Sequence, residues 1–322
     1  MEGTIAKPAL RIKVTGLCNR SCGFCNEEGD MCSIGDVIPD GAFTECVQCL
    51  VESLGLGRVM LTGGEPMIHP NLKEIVRSID CPDISVTSNG VRAFSVGDWT
   101  ELKELGLRMA VISIHCATPE SFLQLETQEH SNDWATKALE AQKSNLVAAS
   151  QSGLRVRVNT VAYQSVDQTM GVLNWLSDLQ MIHQFEIRLL NDLSDIEHSQ
   201  LVITKVCQQL HAEVIGLERR AGSSNASTKW RSASGFLFST KTSIRYFFEP
   251  VCGECLNREN CHEGFYGLRL ERRQSSYWVR LCIYKHSSEV LMPWRDFLCS
   301  DASKLLKELC DKERVKKAVR SP

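Results

Sequence analysis

Three thiols share one short loop, Cys18-Asn19-Arg20-Ser21-Cys22-Gly23-Phe24-Cys25. The Cys-x3-Cys-x2-Cys spacing offers three soft ligands and leaves a coordination position open on whatever they hold. Thiolates are the usual ligands of iron–sulfur clusters, and a cubane held at three irons keeps its fourth iron open to something other than protein. A structural zinc site completed by Cys32 or a histidine is the alternative. A second group, Cys252-x2-Cys255-x5-Cys261-x20-Cys282, supplies four thiols and so a closed site, for which the spacing permits zinc or a cluster. Between the two groups lies Thr62-Gly63-Gly64-Glu65-Pro66, whose paired glycines let backbone carbonyls and amides approach a ligand closely. Alone, that segment reads equally well as an ordinary turn.

These residues need elements to hold them. Short β-branched runs alternate with helical patterns along more than half the chain, the rhythm of repeated βα units. Leu10–Val14 reads as a first strand leading directly into the cysteine loop, and Arg58–Leu61 as a second leading into the paired glycines. Further strands are expected at Ile84–Thr87, Met109–Ile114, Leu154–Val161 and Phe185–Leu190. Helices are expected at Gly41–Leu54, Leu72–Ile79, Asp98–Leu105, Asp133–Ala149 and Asp167–Leu179. Six βα units fit, two short of an eight-fold barrel, so the expected fold class is α/β, a partial (β/α)6 TIM-like barrel. Such barrels place their chemistry at strand C-termini, where both the cysteine loop and the Gly-Gly segment fall.

The stretch Ala221–Gly235 shifts to Gly, Ser, Asn and Ala and reads as a mobile loop or boundary. The expected division is therefore a core at 1–220 and a small cysteine-rich extension at 221–322. Extended segments at Phe236–Phe248 and Gly267–Leu281 flank the second cysteine group, and a terminal amphipathic helix follows at Ala302–Val319.

The chain has 322 residues, 43% of them apolar, which is enough for one large globular body. Lys+Arg 36 against Asp+Glu 39 leaves a net charge of −3, so no overall basicity points to nucleic acid or a membrane surface, and any anion site must be local. Met1–Leu10 lacks the apolar core of a signal peptide, and no run approaches a membrane span, so a cytoplasmic location is the default. In a reducing compartment 15 cysteines point to metal rather than to disulfides. Cys46 and Cys49 form an i,i+3 pair on an apolar helix and are assigned to packing; Cys81, Cys116, Cys207, Cys299 and Cys310 have no ligand-like companion.

Taken together, the triad and the Gly-Gly-Glu-Pro segment resemble the radical S-adenosylmethionine (SAM) superfamily over most of residues 10–190. The resemblance implies a [4Fe–4S] cluster on Cys18, Cys22 and Cys25, with SAM on its open iron. It also implies an amine site for SAM at Gly63, Gly64, Glu65 and Pro66, and an aromatic near the adenine at Phe24. Ser88, Asn89 and Ser113 match positions that contact the ribose or carboxylate, although a polar residue at a strand end is also an ordinary turn former. Beyond the barrel, Tyr266–Leu270 and Val279–Cys282 look like the auxiliary-cluster (SPASM/twitch-like) segment of the GTP 3′,8-cyclase branch, which favours a second [4Fe–4S] cluster on Cys252, Cys255, Cys261 and Cys282. Arg11, Arg157, Arg188 and Arg269 match places where that branch directs basic residues towards substrate phosphates; each also reads as an ordinary paired or snorkelling residue.

The chain departs from that branch in three ways. It ends Lys316-Lys317-Ala318-Val319-Arg320-Ser321-Pro322 without a paired-glycine tail, Cys261 adds a thiol, and His69 stands where the branch tends to have Arg. The expected activity is therefore a radical SAM reaction other than GTP cyclisation. It would abstract hydrogen from a polar, anionic small molecule (nucleoside, nucleotide or sugar acid) in cofactor or natural-product biosynthesis. An electron donor such as flavodoxin or ferredoxin would serve it, and no catalytic side chain beyond the cluster is required. A peptide-modifying maturase and a non-catalytic zinc-binding interaction protein are the alternatives.

Overall fold

In the computed structural model the residues described are 4–6, 8–25, 35–163, 165–241, 245–285 and 287–319; Cys32 lies outside them. Thirteen strands among these residues form one sheet. They are β1 (Thr4–Ala6), β2 (Ala9–Thr15), β3 (Arg58–Gly63), β4 (Ile84–Ser88), β5 (Leu107–Ser113), β6 (Arg155–Val161), β7 (Glu186–Leu190), β8 (Glu213–Arg220), β9 (Ala226–Arg231), β10 (Leu237–Lys241), β11 (Leu268–Arg273), β12 (Ser276–Arg280) and β13 (Leu291–Pro293). Their order is β1-β8-β9-β10-β7-β6-β5-β4-β3-β2-β11-β12-β13. The six expected strands, β2 to β7, are consecutive and parallel, as right-handed βα crossovers require. β10 and β11 add one parallel strand on each flank. The order is linear rather than circular, so the barrel is partial.

Helices α1 (Gly41–Leu54), α2 (Leu72–Arg77), α3 (Val96–Glu104), α4 (Pro119–Leu123), α5 (Asn132–Gln151), α6 (Val166–Gln180) and α7 (Ile196–Gln209) lie in the crossovers. Local chemistry sets their starts. The side chains of Asp40, Ser95, Thr118, Ser131, Ser165 and Asp195 each accept a backbone N–H of the first turn. α1 ends at Gly55, whose φ of 60° favours a residue without a Cβ. In α1, Phe43, Cys46, Val47, Leu50, Val51 and Leu54 form the buried stripe, so Cys46 packs as expected. On β6 the alternation is equally plain: Val156, Val158 and Thr160 are buried on one face, while Asn159 and Val161 turn to the barrel cavity. No helix among the described residues is long and apolar enough to cross a membrane.

One feature differs from the expectation. Ala221–Gly235 is no mobile loop: β8 and β9 pair antiparallel there, with Ser223, Ser224 and Ser227 buried. Its small residues answer to close packing. A Cβ on Gly222 would lie 3.2 Å from Leu306 of the terminal helix α10 (Asp301–Val319), and one on Gly264 would lie 2.7 Å from the Ser224 hydroxyl. The sheet also runs without a break across residue 220. The remaining helices, α8 (Glu249–Cys252) and α9 (Trp294–Cys299), are short. β11 and β12 are locked to β2 by a buried network in which Arg280 donates twice to the Glu271 carboxylate (3.0 and 3.1 Å) and the Lys13 ammonium stands 3.6 Å from it.

Candidate active site

The C-terminal ends of the parallel strands meet in a mouth where the cysteine loop packs directly on the glycine pair. Gly64 N–H donates to the Thr15 carbonyl and Glu65 N–H to that of Leu17, both at 2.8 Å. The approach leaves no room for a side chain: a Cβ on Gly63 would fall 2.3 Å from the Thr15 oxygen, and one on Gly64 2.0 Å from that of Leu17. Gly63 also has a φ of 129°. The glycines are thus needed first to seat the loop that carries Cys18.

Glu65 is fully buried, and its carboxylate accepts from Met67 N–H (2.8 Å) and Asn89 N–H (2.6 Å). Burial pushes its pKa up to about 7 against those two hydrogen bonds. Pro66 opens the single helical turn Pro66–Ile68 that Glu65 caps. Asn89 closes the circuit, donating through its carboxamide to Asn19 Oδ1 (2.8 Å) and to Cys18 Sγ (3.7 Å). Ser88 is buried, and its hydroxyl accepts from Gly90 N–H at 2.9 Å.

On the other side, the loop hangs from Glu126. Its carboxylate accepts from Arg20 Nε (2.7 Å) and Nη2 (2.5 Å) and from the N–H (2.7 Å) and hydroxyl (3.0 Å) of Ser21, while the guanidinium covers the Phe122 ring at 4.2 Å. The thiols of Cys18, Cys22 and Cys25 lie within electrostatic reach of one another. Burial raises the pKa of Cys18 and pushes that of Cys22 up to about 12, so these sulfurs give up their protons only to a cation that takes their place. Among the described residues no three His, Cys, Asp or Glu side chains converge as a single metal ion requires.

Cys25 and Phe24 form one wall of a cavity of about 270 Å³ at the barrel mouth. Ser113, His115, Asn159 and Asn191 line it from the strand ends, and Arg11, Lys241 and Arg269 line it together with the carboxylates of Asp192 and Glu263. Arg11 and Arg269 are direct register partners on β2 and β11. Arg157 and Arg188 sit elsewhere: Arg157 donates to Glu186 at 2.8 Å, and Arg188 meets the Ser227 hydroxyl at 3.4 Å. Neither lines this cavity.

Phe24 meets the His115 ring edge-on at 4.8 Å. The imidazole Nδ1 accepts from Val161 N–H at 3.0 Å, and dense surroundings push its pKa down to about 3. A depressed histidine contributes stability that is present above the unfolded pKa near 6.5 and is lost as pH falls towards the folded value. The protein should therefore lose about 2 kcal/mol between about pH 7 and pH 5 that His115→Asn, which keeps an acceptor, does not lose. Denaturant midpoints at the two pH values measure the difference; parallel changes in both proteins would contradict this placement.

The second cysteine group is also brought together. Cys252, Cys255, Cys261 and Cys282 line one cavity of about 230 Å³, and Cys252 lies within electrostatic reach of the other three. Leu193 lines both this cavity and the barrel mouth.

Several residues central to this geometry escaped the sequence reading. Gln142 is fully buried on α5 and donates to the carbonyls of Asn89 (2.7 Å) and Ser113 (3.0 Å), tying the ends of β4 and β5 together. Asn145, one turn on, donates to the carbonyls of Gly90 and Arg92. Two carboxamides on the apolar stripe of a helix were the available signal. Lys241, whose ammonium pairs with Glu263 and lies 4.6 Å from the Tyr266 ring, gave no local signal because its partners are more than twenty residues away.

With this geometry in view, comparison with known proteins is informative. The family model described as the Radical SAM superfamily matches residues 12–160. The chain is 29% identical over 199 residues to the GTP 3′,8-cyclase of Streptomyces coelicolor, covering 59% of this chain and 54% of that one. It is 31% identical over 163 residues to a probable GTP 3′,8-cyclase of Methanothermobacter thermautotrophicus, covering 49% and 50%. The chain thus spans about half the length of these curated relatives. Among solved structures, "Native anSMEcpe with bound AdoMet" superposes with a TM-score of 0.56 at 12% identity, over 92% of this chain and 82% of that one, which shows a shared fold. The matched segment runs from β2 through β6 and contains the cysteine triad, the glycine pair and Asn89. Over residues 12–160 this chain is similar to the radical SAM superfamily.

Proposed function

We propose that the protein is a radical SAM enzyme acting on a polar, anionic small molecule such as a nucleoside, nucleotide or sugar acid. The observation that carries this reading is the barrel-mouth cavity, which Cys25 and Phe24 line together with Arg11, Lys241 and Arg269, the three cations outnumbering the two carboxylates of Asp192 and Glu263. In this reading Cys18, Cys22 and Cys25 hold a [4Fe–4S] cluster, and Gly63, Gly64, Glu65, Pro66, Phe24, Ser88, Asn89 and Ser113 frame SAM. When bound, the cluster and SAM together supply a 5′-deoxyadenosyl radical able to take hydrogen from an unactivated carbon. The chain's own residues bind, orient and exclude water. Glu65 and Asn89 fix the loop, Gln142 holds the strand ends, and the basic wall draws the anionic end of the substrate across the cavity from Cys25.

The donor set of the second cavity, four thiols and no carboxylate, suits a second [4Fe–4S] cluster. Anaerobically reconstituted protein should carry about eight irons per chain, and Cys252→Ala with Cys282→Ala about four. Zinc in that position, or unchanged iron in the variant, would remove the second cluster. The expected division into a barrel core (1–220) and an auxiliary-cluster extension (221–322) is kept as part of this proposal, although the two parts share a sheet.

The basic wall gives a direct prediction. Charge-assisted hydrogen bonds contribute about 1.5–3 kcal/mol, so Arg269→Ala should raise KM for an anionic substrate by about 10- to 150-fold while leaving 5′-deoxyadenosine formation without substrate unchanged. An unaltered KM would take the anion out of the proposal. The decisive assay follows deuterium from labelled nucleotides, sugar acids and peptides into 5′-deoxyadenosine. Transfer from the anionic small molecules is expected, and transfer from a peptide alone would replace this reading with the maturase one.

A further inference from the structure

A groove of about 690 Å³ runs beside the barrel mouth, between α7 and the β9–β10 hairpin. It is larger than the 270 Å³ mouth cavity and adjoins it, Asn191 and Lys241 lining both. Its chemistry differs from that of the mouth. Gln200, Thr204 and Gln208 from α7 face Thr228, Trp230 and Thr240 from the hairpin, and no carboxylate lines it. Trp230 spends its indole N–H on the Thr240 hydroxyl (3.0 Å) and lies nearly parallel to Phe238 behind it, so it offers a ring face rather than a donor. At the junction, Asn191 Oδ1 is buried without a hydrogen-bond partner. His211, which also lines the groove, adopts a φ of 44° as the left-handed residue that ends α7, its N–H donating to the Gln208 carbonyl.

We infer that this groove is a second binding subsite for a neutral, polyhydroxylated arm of the substrate, a glycosyl group, whose anionic end occupies the barrel mouth. An aromatic face set among carboxamides and hydroxyls matches a sugar's apolar ring face and its rim of hydroxyls, and the volume suits a small-molecule fragment. A peptide is disfavoured by the sheet: β9 is paired on both sides with β8 and β10, and β10 with β9 and β7, so no strand edge is offered for augmentation. The inference rests on the proposed function, which it deepens by making the substrate bipartite.

The test uses the full chain with Trp indole nitrogens labelled, the Trp230 resonance being assigned by Trp230→Phe. Methyl β-D-glucopyranoside and methyl β-D-ribofuranoside are the probes, with inorganic phosphate and an acetylated alanine dipeptide amide as controls. A saturable shift of the Trp230 indole by either glycoside is expected. It should weaken about tenfold in Thr204→Phe and in Gln208→Phe, both exposed positions on α7, and should persist in saturating phosphate. No saturable shift, equal binding by both variants, loss of binding in phosphate, or a stronger response to the dipeptide would each overturn the proposal. Because the titration needs neither iron nor SAM, absence of 5′-deoxyadenosine formation beside an intact glycoside shift would fail the proposed function, while the reverse pattern would fail the groove alone.

Discussion

Alanine at any one of Cys18, Cys22 or Cys25 is expected to reduce SAM cleavage to the uncatalysed background, a loss of at least about 10⁴-fold. The size follows from how little else the site offers. Apart from Cys25 the mouth is lined by carboxamides, hydroxyls, carboxylates, apolar side chains, a low-pKa imidazole and cations, none of which can pass an electron to a sulfonium. Two thiols do not hold a cubane with a defined open iron. The same substitutions should leave the fold nearly intact, because the loop is anchored by Glu126 and by the glycine contacts. Circular dichroism with quantified 5′-deoxyadenosine checks both halves. Retained cleavage in the triple variant would show that the thiols do not carry the chemistry.

The second large effect lies at Glu126, which touches no substrate-lining atom yet accepts four hydrogen bonds from Arg20 and Ser21. Both charged side chains are essentially shut off from solvent. Glu126→Ala leaves the Arg20 guanidinium buried and uncompensated, a situation that typically costs about 3–5 kcal/mol. It also releases the loop between Cys18 and Cys22, so iron retention after dialysis should fall together with the denaturant midpoint. Arg20→Met combined with Glu126→Gln removes the stranded charge and should recover most of the stability but not the loop geometry. A Glu126→Ala protein as stable as the parent would mean that the pair is better solvated than its burial implies.

The barrel was legible because each of its strands is a short aliphatic run and six of its seven helices carry a side-chain start signal, α2 being the exception. Gly41–Leu54 fell on α1 itself, since Asp40 caps it and Gly55 ends it. What the sequence hid was context. Ala221–Gly235 has the composition of a loop, yet Gly222 and the buried serines are small because α10, Tyr246 and Gly264 press on them. Helix α7 went unread, and with it the groove it borders.

The candidate site divides along the same line. Cys18 to Cys25 and Gly63 to Pro66 are contiguous in sequence and stood out by spacing. Arg157 and Arg188 looked equivalent to Arg11 and Arg269, and only the register of β2 on β11 separates the pair that shares the cavity from the two that do not. Glu126, Gln142 and Lys241 act through partners far along the chain, which no local pattern encodes.

The most direct test is electron paramagnetic resonance of the anaerobically reconstituted, dithionite-reduced protein with and without SAM. An iron left open by the three-thiol loop predicts a reduced [4Fe–4S] signal whose g-values shift when SAM is added, in the full chain and equally in the Cys252→Ala, Cys282→Ala variant. A signal indifferent to SAM, or one abolished by the second pair of substitutions while surviving loss of Cys18, Cys22 and Cys25, would place the chemistry somewhere other than the mouth of this barrel.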